Sequence, residues 1–587
     1  MSFGLYWKSM SRSRQLLWIL LPLLTLFRIF LFLRTPLDVM GNTPHDDLLL
    51  LTHAQSILEG NWLGTYCNTT LVKGVSFPLF VALCSWLCIP YLLGLALLYI
   101  GSILVFLRAI RPLHPGPYAK AVIYLFLLYA PSMLSKLTAQ RPYNIALIPS
   151  AVLLVTGSFT GLFLRREESG GKLLAWGFLA GVSLSFLWYT REDSLWLAPF
   201  AFGAAAIGII CIFRTSLTAA KKLRKAACML LPFLLLLGSG LAICGINQYY
   251  YRTFTTNERT HTSFAQVMSD LVQMDVPQTR EDVWVSREAM EKAMECSPTL
   301  ESIRASIDGI YQSGWAVNGE ISGDIIAWAL RDAAADAGYF TDGSTSRQFF
   351  ADVHEELSAA YEDSRLERKE GIFLSSLSDG FVFSEDFFSL MQRSLKAWKE
   401  LLIFSGTEVD IFPASGSAEQ IRFFETITDG TAVYPPGMAF SQDPSGTYAQ
   451  RPVVHSQRIL AVLRILAYPL VIASFFCYLW MTVTMIRDMK KKRFDLWYRW
   501  LITTGIAGCC AILIVEVSWF TTYLGDADHI TYNYCTGALP MIQLVQIFTF
   551  LAVFPWLKAW IRNRRSRNLE NTGETQAASA DGSKPLW

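Results

Sequence analysis

Charge is scarce in this chain. Only 17% of its 587 residues are Asp, Glu, Lys or Arg, fewer than a soluble protein of this length carries. The charges nearly cancel, to a net +2, and no basic tract is interleaved with aromatics, so nothing points to a nucleic-acid partner. The eleven cysteines do not fall in a metal-binding pattern. Cys84, Cys88, Cys211, Cys228, Cys244, Cys477, Cys509 and Cys510 lie in apolar runs, where cysteine behaves as a small hydrophobe. Cys67, Cys296 and Cys535 lie in more polar segments, and one disulfide among them would leave a third thiol over. There is no internal repeat. The first apolar run is longer than a signal-peptide core and is followed by Arg34-Thr35-Pro36 rather than a small-residue cleavage site, which makes it a retained anchor.

What the chain has instead is apolar sequence, 52% hydrophobic residues, gathered in runs long enough to cross a bilayer. The expectation is an all-α polytopic membrane protein. Basic segments at Lys8–Arg14, Arg108–Lys120, Arg165–Lys172, Arg214–Lys225, Arg487–Arg499 and Lys558–Arg567 belong on the cytoplasmic side. Keeping them there needs about ten spans: 15–33, 91–107, 121–135, 144–164, 173–189, 195–213, 227–247, 457–486, 500–523 and 537–557. Both termini are then cytoplasmic. Ser76–Ile89 is apolar, but a full crossing there would put Arg108 and Arg111 outside, so it is expected at the outer interface or as a half-inserted hairpin broken at Pro90. The acidic block 248–456 falls outside. It shows helical periodicity in Ser286–Cys296, Asp324–Ala337 and Arg347–Tyr361 and is long enough for its own core. The chain therefore divides into a membrane module, 1–247, with a first outer loop at 34–90; an extracytoplasmic, mainly helical domain, 248–456; a second membrane module, 457–567; and a polar, disordered cytoplasmic tail, 568–587.

Three charged clusters are expected at the outer ends of helices. The first is His45-Asp46-Asp47 with Lys73. The second runs from Lys136 to Arg141. The third is Thr190-Arg191-Glu192-Asp193, flanked by Trp188, Tyr189 and Trp196. Carboxylates and cations held at one membrane depth suit glycosyl transfer from a lipid-linked donor. A carboxylate, Asp46 or Asp47, takes the proton of an attacking hydroxyl. Lys73, Arg141 and Arg191, with Glu192 and Asp193 beside them, bind the donor and its departing phosphate. Each feature also has a structural reading. Asp46 fits the N-cap of the amphipathic stretch that runs to Glu59, Arg191-Glu192-Asp193 fits a salt-bridged turn, and Arg141 fits a snorkelling interfacial side chain. Glu516, deep in the ninth span, is a costly placement that points to function, with a hydrogen bond to a neighbouring helix as the alternative. No motif demands a cofactor. A divalent metal on Asp46 and Asp47 is the one candidate, although adjacent residues rarely all reach one ion.

These motifs resemble the GT-C superfamily of integral-membrane glycosyltransferases. The resemblance covers residues 1 to about 250. It rests on Asp46-Asp47, Gly60-Asn61-Trp62-Leu63-Gly64, Lys73-Gly74-Val75-Ser76-Phe77-Pro78-Leu79-Phe80 and Thr190-Arg191-Glu192-Asp193. It implies a seven-helix module, a polyprenyl-phosphate sugar as donor, and catalysis at the outer face of a bacterial plasma membrane. It also implies an acid of the first outer loop as base, with Asp46 preferred. The acceptor, a glycan, lipid or protein, is left open, and users of lipid monophosphate sugars usually work without a metal. Two other classes compete: a transporter or flippase, which should show paired repeats, and a non-enzymatic surface-assembly protein, which would leave the charged clusters unexplained.

Overall fold

The computed structural model describes residues 11–191, 194–277, 280–373, 380–438, 450–491, 496–521 and 532–571. These residues hold helices and no strand. Helices of eight residues or more are numbered here in chain order. The first part of the chain forms α1 Arg12–Leu33, α2 Asp47–Leu58, α3 Ser76–Trp86, α4 Tyr91–Ala109, α5 Pro117–Leu128, α6 Ile148–Leu164, α7 Gly170–Trp188, α8 Ala198–Phe213 and α9 Ala219–Tyr251. The middle forms α10 Ser263–Val272, α11 Arg287–Cys296, α12 Arg304–Gln312, α13 Ile325–Asp336, α14 Gly343–Glu362, α15 Phe383–Ile403 and α16 Ala418–Thr428. The last part forms α17 Gln450–Lys490, α18 Trp497–Phe520 and α19 Ala538–Asn571. Among the described residues nine of these helices are long and apolar enough to cross a membrane, α6, α8 and α19 being counted with the turns that precede them: α1, α4, α6, α7, α8, α9, α17, α18 and α19. The chain is a multi-pass helical membrane protein.

The span expected at 121–135 departs from this pattern. Its helix, α5, has 12 residues, about 18 Å of rise against a hydrocarbon core of roughly 30 Å. Pro131 ends it, because proline offers no N–H and disfavours a helical residue before it. A short 3-10 turn at Pro131–Met133 and a π turn at Lys136–Gln140 follow. Irregular backbone is tolerated at membrane depth only when protein covers it, and Pro131, Ser132, Met133 and Leu134 are all buried. Partners from neighbouring helices take up the freed carbonyls. Arg28 of α1 donates to the Met133 carbonyl, and Tyr99 of α4 donates to the Leu127 carbonyl at 2.9 Å. Arg28, the lone charge of the first apolar run, thus serves a broken segment of a different helix. The 76–89 stretch forms the 11-residue α3, too short to span, and ends at Cys88 with a positive φ before Pro90 starts α4.

Packing follows composition. α6 is almost wholly buried between α4, α7 and α8. Its small residues let neighbours approach closely: a Cβ on Gly157 would lie 3.2 Å from the Phe106 Cα, and one on Gly161 would lie 2.3 Å from the Trp176 ring. Arg165 lies over that ring at 4.5 Å. The middle of the chain contributes to two cores. Residues 264–366 build a second hydrophobic cluster, joined by Trp519 from the end of α18. α16 and the end of α15 pack instead on the membrane cluster, α16 lying against α2 and α3. Isolated bridges tie Leu37 to Ala432 and Met40 to Ser415, so the first loop is threaded between distant segments. α19 runs on to Asn571; the rest of the expected tail, 572–587, lies outside the described residues. All eleven cysteines are free thiols.

The Gly161–Trp176 contact makes a test of the packing. Valine at position 161 recovers little of glycine's poor helix propensity, because it is β-branched, so the overlap with the indole decides the sign. Gly161→Val should destabilise the protein by about 1–3 kcal/mol, the usual cost of overpacking. A lower midpoint of thermal unfolding in detergent would be the readout; an unchanged midpoint would show that α6 and α7 can separate without cost.

Candidate functional site

Three loops meet at one end of the helix bundle, and backbone contacts hold them together. Ser76 N donates to the Tyr189 carbonyl at 2.9 Å, and the Asn144 side-chain amide donates to the Thr190 carbonyl at 3.2 Å. Gly74 lies against the same turn: a Cβ there would come within 2.2 Å of the Tyr189 carbonyl oxygen. Only glycine permits that approach. Lys73, Arg141 and Arg191, each within three residues of one of these contacts in sequence, are brought to a common cavity of about 1870 Å³. The Glu192 and Asp193 of the third cluster lie outside the described residues.

The neighbouring acids Asp46 and Asp47 have different surroundings. Asp47, in the first turn of α2, is fully buried. Arg141 grips it with two bonds, Nε to Oδ1 at 2.7 Å and Nη2 to Oδ2, and the guanidinium stacks on Tyr143 at 4.4 Å. This is the bidentate fork that arginine makes with carboxylates. Arg141 is therefore no snorkelling side chain. Asp46 occupies the N-cap position of α2, but its side chain makes no capping bond. Its Oδ1 instead accepts from Lys73 Nζ at 2.7 Å and from Tyr143 OH at 2.8 Å. Its Oδ2 takes no bond from the described residues, and the carboxylate keeps 41% of its surface exposed, towards the cavity it lines.

These surroundings split the two acids electrostatically. Burial pushes the Asp46 carboxyl up, but the Lys73 charge and the bonds from Lys73 and Tyr143 outweigh it and hold the group at about 2. Burial pushes Asp47 above its ordinary value, and the Arg141 fork opposes that only in part. Asp47 therefore takes up a proton at higher pH than Asp46. Burial, reinforced by the two carboxylates, pushes the Tyr143 phenol well up, so it stays a donor to Asp46.

The cavity has a polar and an apolar side. On the polar side, Lys73 lies over one indole, Trp328 of α13, at 5.4 Å, and Arg259 lies over the same ring at 4.5 Å. Arg259 also pairs with Asp324 at 3.0 Å. His45 packs edge-on against Trp315 and Trp328, with its Nε2 3.7 Å from Asp332. Arg191 sits over the Tyr534 ring at 5.0 Å. On the apolar side, Leu195 before α8 and the α18 residues Ile512 and Val515 line the cavity with exposed side chains. Glu516 of α18 lines it as well. A ligand with a phosphate, a polar body and a hydrocarbon tail would meet a matching surface for each part.

Lys73, Asp46, Arg141 and Arg191 were all named from sequence, and all line this one cavity; Asp47 stands behind it as the anchor of Arg141. Tyr143, Arg259, Asp324, Trp328 and Tyr534 were not. Tyr143 had a signal, two residues from Arg141. The others had none, because the partners they meet lie from about 65 to more than 300 positions away. Among the described residues no group of three His, Cys, Asp or Glu side chains gathers as a metal site, and Asp46 and Asp47 are turned to different cations. Asn68, which fits a glycosylation triplet, instead bonds Asp332 through its amide. Compared with known proteins, the chain matches no family model, no curated protein and no solved structure.

The depressed Asp46 carboxyl gives a pH test. A carboxyl held at about 2 against an ordinary 3.8 favours the folded state above the ordinary value. That contribution fades as pH falls from about 4 towards about 2. Lys73→Met removes the cation responsible, so thermal stability followed from roughly pH 6 downward should decline less steeply in the variant over that window. Asp47 works in the opposite sense, and the Lys73 charge is the least of the influences on it; losing that charge pushes Asp47 further up and moves the variant in the same direction. Identical acid declines would mean that Lys73 does not hold Asp46 ionised.

Proposed function

We propose that the chain is a membrane glycosyltransferase that moves a sugar from a polyprenyl-phosphate donor to a hydroxyl of an extracytoplasmic glycan, lipid or protein. One observation carries the reading: a single cavity joins a carboxylate with an open oxygen, Asp46, to the cations Lys73, Arg141 and Arg191 and to apolar walls exposed on membrane helices. Catalysis then takes place at the outer face; α5 and the irregular stretch after it make a tenth crossing beside the nine long helices, so that the basic loops and both termini are cytoplasmic and the 248–456 block is extracytoplasmic.

In this reading the donor's phosphate settles among Lys73, Arg141 and Arg191, its tail runs along Leu195, Ile512 and Val515, and the sugar faces Asp46. The acceptor oxygen attacks the anomeric carbon, and a new C–O bond forms as the bond to the phosphate oxygen breaks. The electron pair leaves on that oxygen, whose charge the cations stabilise. The hydroxyl proton passes to Asp46. A carboxylate held at about 2 is ionised but weakly basic. A donor phosphate that draws Lys73 towards itself removes the main influence depressing it and returns basicity to Asp46 when substrate is present. Asp47 takes no part in proton transfer; it fixes Arg141.

Two substitutions test this in purified protein supplied with a panel of radiolabelled polyprenyl-phosphate sugars. Asp46→Asn keeps the size of the side chain but cannot accept the proton. Transfer should fall by about a hundredfold or more while donor binding stays near normal, and full activity would remove Asp46 from the chemistry. Arg191→Ala loses a charge-assisted contact of roughly 1.5–3 kcal/mol, which corresponds to about ten- to a hundredfold weaker donor binding. A folded variant with unchanged affinity would end that role for Arg191.

A further inference from the structure

α15 carries an apolar stripe on its outward surface. Phe388 is 80% and Leu395 61% exposed, and Phe383 and Met391 lie exposed along the same helix. The positions 388, 391 and 395 fall on one helical face; Gln392 and Lys396 flank it, and Lys399, four residues after Leu395, closes it on the same face, all three exposed. The opposite face is packed: Ala397, Leu401 and Trp398 join the membrane cluster and Leu390 the second cluster. The stripe is therefore left uncovered by the rest of the chain.

The level of α15 relative to the spans identifies what covers it. Its two ends touch two different membrane helices. Phe381, just before its first turn, packs on Trp519 of α18 with ring centroids 5.0 Å apart. At its other end the Phe404 and Ser405 carbonyls accept from Arg464 of α17 at 3.1 and 3.3 Å. Both spans have their basic ends on the far side, at Arg487 and Arg499. Counting along the helices at about 1.5 Å per residue, Arg464 lies roughly 35 Å from Arg487 and Trp519 roughly 30 Å from Arg499. Each distance is about one hydrocarbon thickness. Both ends of α15 thus sit at the same interface, and the helix, about 31 Å long, lies across the ends of α17 and α18 rather than rising away from them. Val462, Ile465 and Tyr468 of α17, the span that its second end touches, are exposed as well.

We infer that α15 is an interfacial helix whose Phe388–Leu395 face is seated in the bilayer surface, with Lys396 and Lys399 at the headgroup level. An amphipathic helix with aromatic and aliphatic residues on one face and lysines beside them binds membranes in this manner. The occupant is phospholipid, and the inference does not depend on the proposed chemistry.

The experiment uses the full chain in nanodiscs of phosphatidylethanolamine and phosphatidylglycerol. Photoreactive p-benzoylphenylalanine is introduced singly in place of Phe388, Leu395, the span residue Ile472, and Glu295 on α11. Irradiation followed by mass spectrometry reads covalent phospholipid adducts. Phe388 and Leu395 should yield adducts comparable to those at Ile472, and Glu295 should yield none. Adducts at Ile472 with none at Phe388 and Leu395 would overturn the inference. So would crosslinks from those two positions to a second copy of the chain, which would make the stripe a protein interface.

Discussion

The candidate site depends on one buried ion pair, Asp47 with Arg141. The carboxylate is fully buried and both of its oxygens are held by the guanidinium, so neither partner can leave without stranding the other's charge, at a cost of roughly 3–5 kcal/mol. The pair fixes the start of α2 against the loop after the broken α5. Since Asp46 is the adjacent residue, anchoring Asp47 inward leaves Asp46 at the cavity. Tyr143 is two residues from Arg141, and its place beneath the guanidinium brings its hydroxyl to Asp46. One interaction thereby sets the positions of the acid, its phenol partner and one cation.

That anchoring rests in turn on the irregular stretch from Tyr129 to Asn144. A continuous helix there would carry Arg141 onward along its axis. Pro131 stops the helix, and Arg28 and Tyr99 provide hydrogen bonds that make the broken backbone tolerable. Gln140 donates to the Pro36 and Asp410 carbonyls, at 3.1 and 2.6 Å, linking the loop after α1 to the segment after α15. The charged end of the bundle is thus assembled from parts of the chain that meet only there.

Much of the helical layout was legible because hydrophobic runs and caps are local. Ser286 caps α11 and Asp342 caps α14, near where periodicity placed those helices. The three charged clusters were legible because charge is rare next to apolar sequence. Which of two adjacent aspartates faces the cavity was not, since burial by distant residues decides it. The break in the span expected at 121–135 was hidden for a related reason: a helical apolar run and a proline-broken one look alike in composition, and the partners that satisfy the break sit on α1 and α4. Arg259, Asp324, Trp328 and Tyr534 reach the cavity from far along the chain, and nothing near them in sequence marks that meeting.

α18 has a mechanical consequence. Its middle supplies Ile512 and Val515 to the cavity wall, its far end is gripped in the second core through Trp519, and near its other end Arg499 donates to the Leu551 carbonyl of α19 at 2.8 Å. A single uninterrupted helix therefore connects the basic end of the bundle, the wall of the cavity and the helical cluster above it. Tilting a helix of about 24 residues by some ten degrees displaces its end by about 6 Å, enough to widen or narrow a tail-sized gap. Whatever docks on the helical cluster would act on a lever whose other arm forms the side of the cavity.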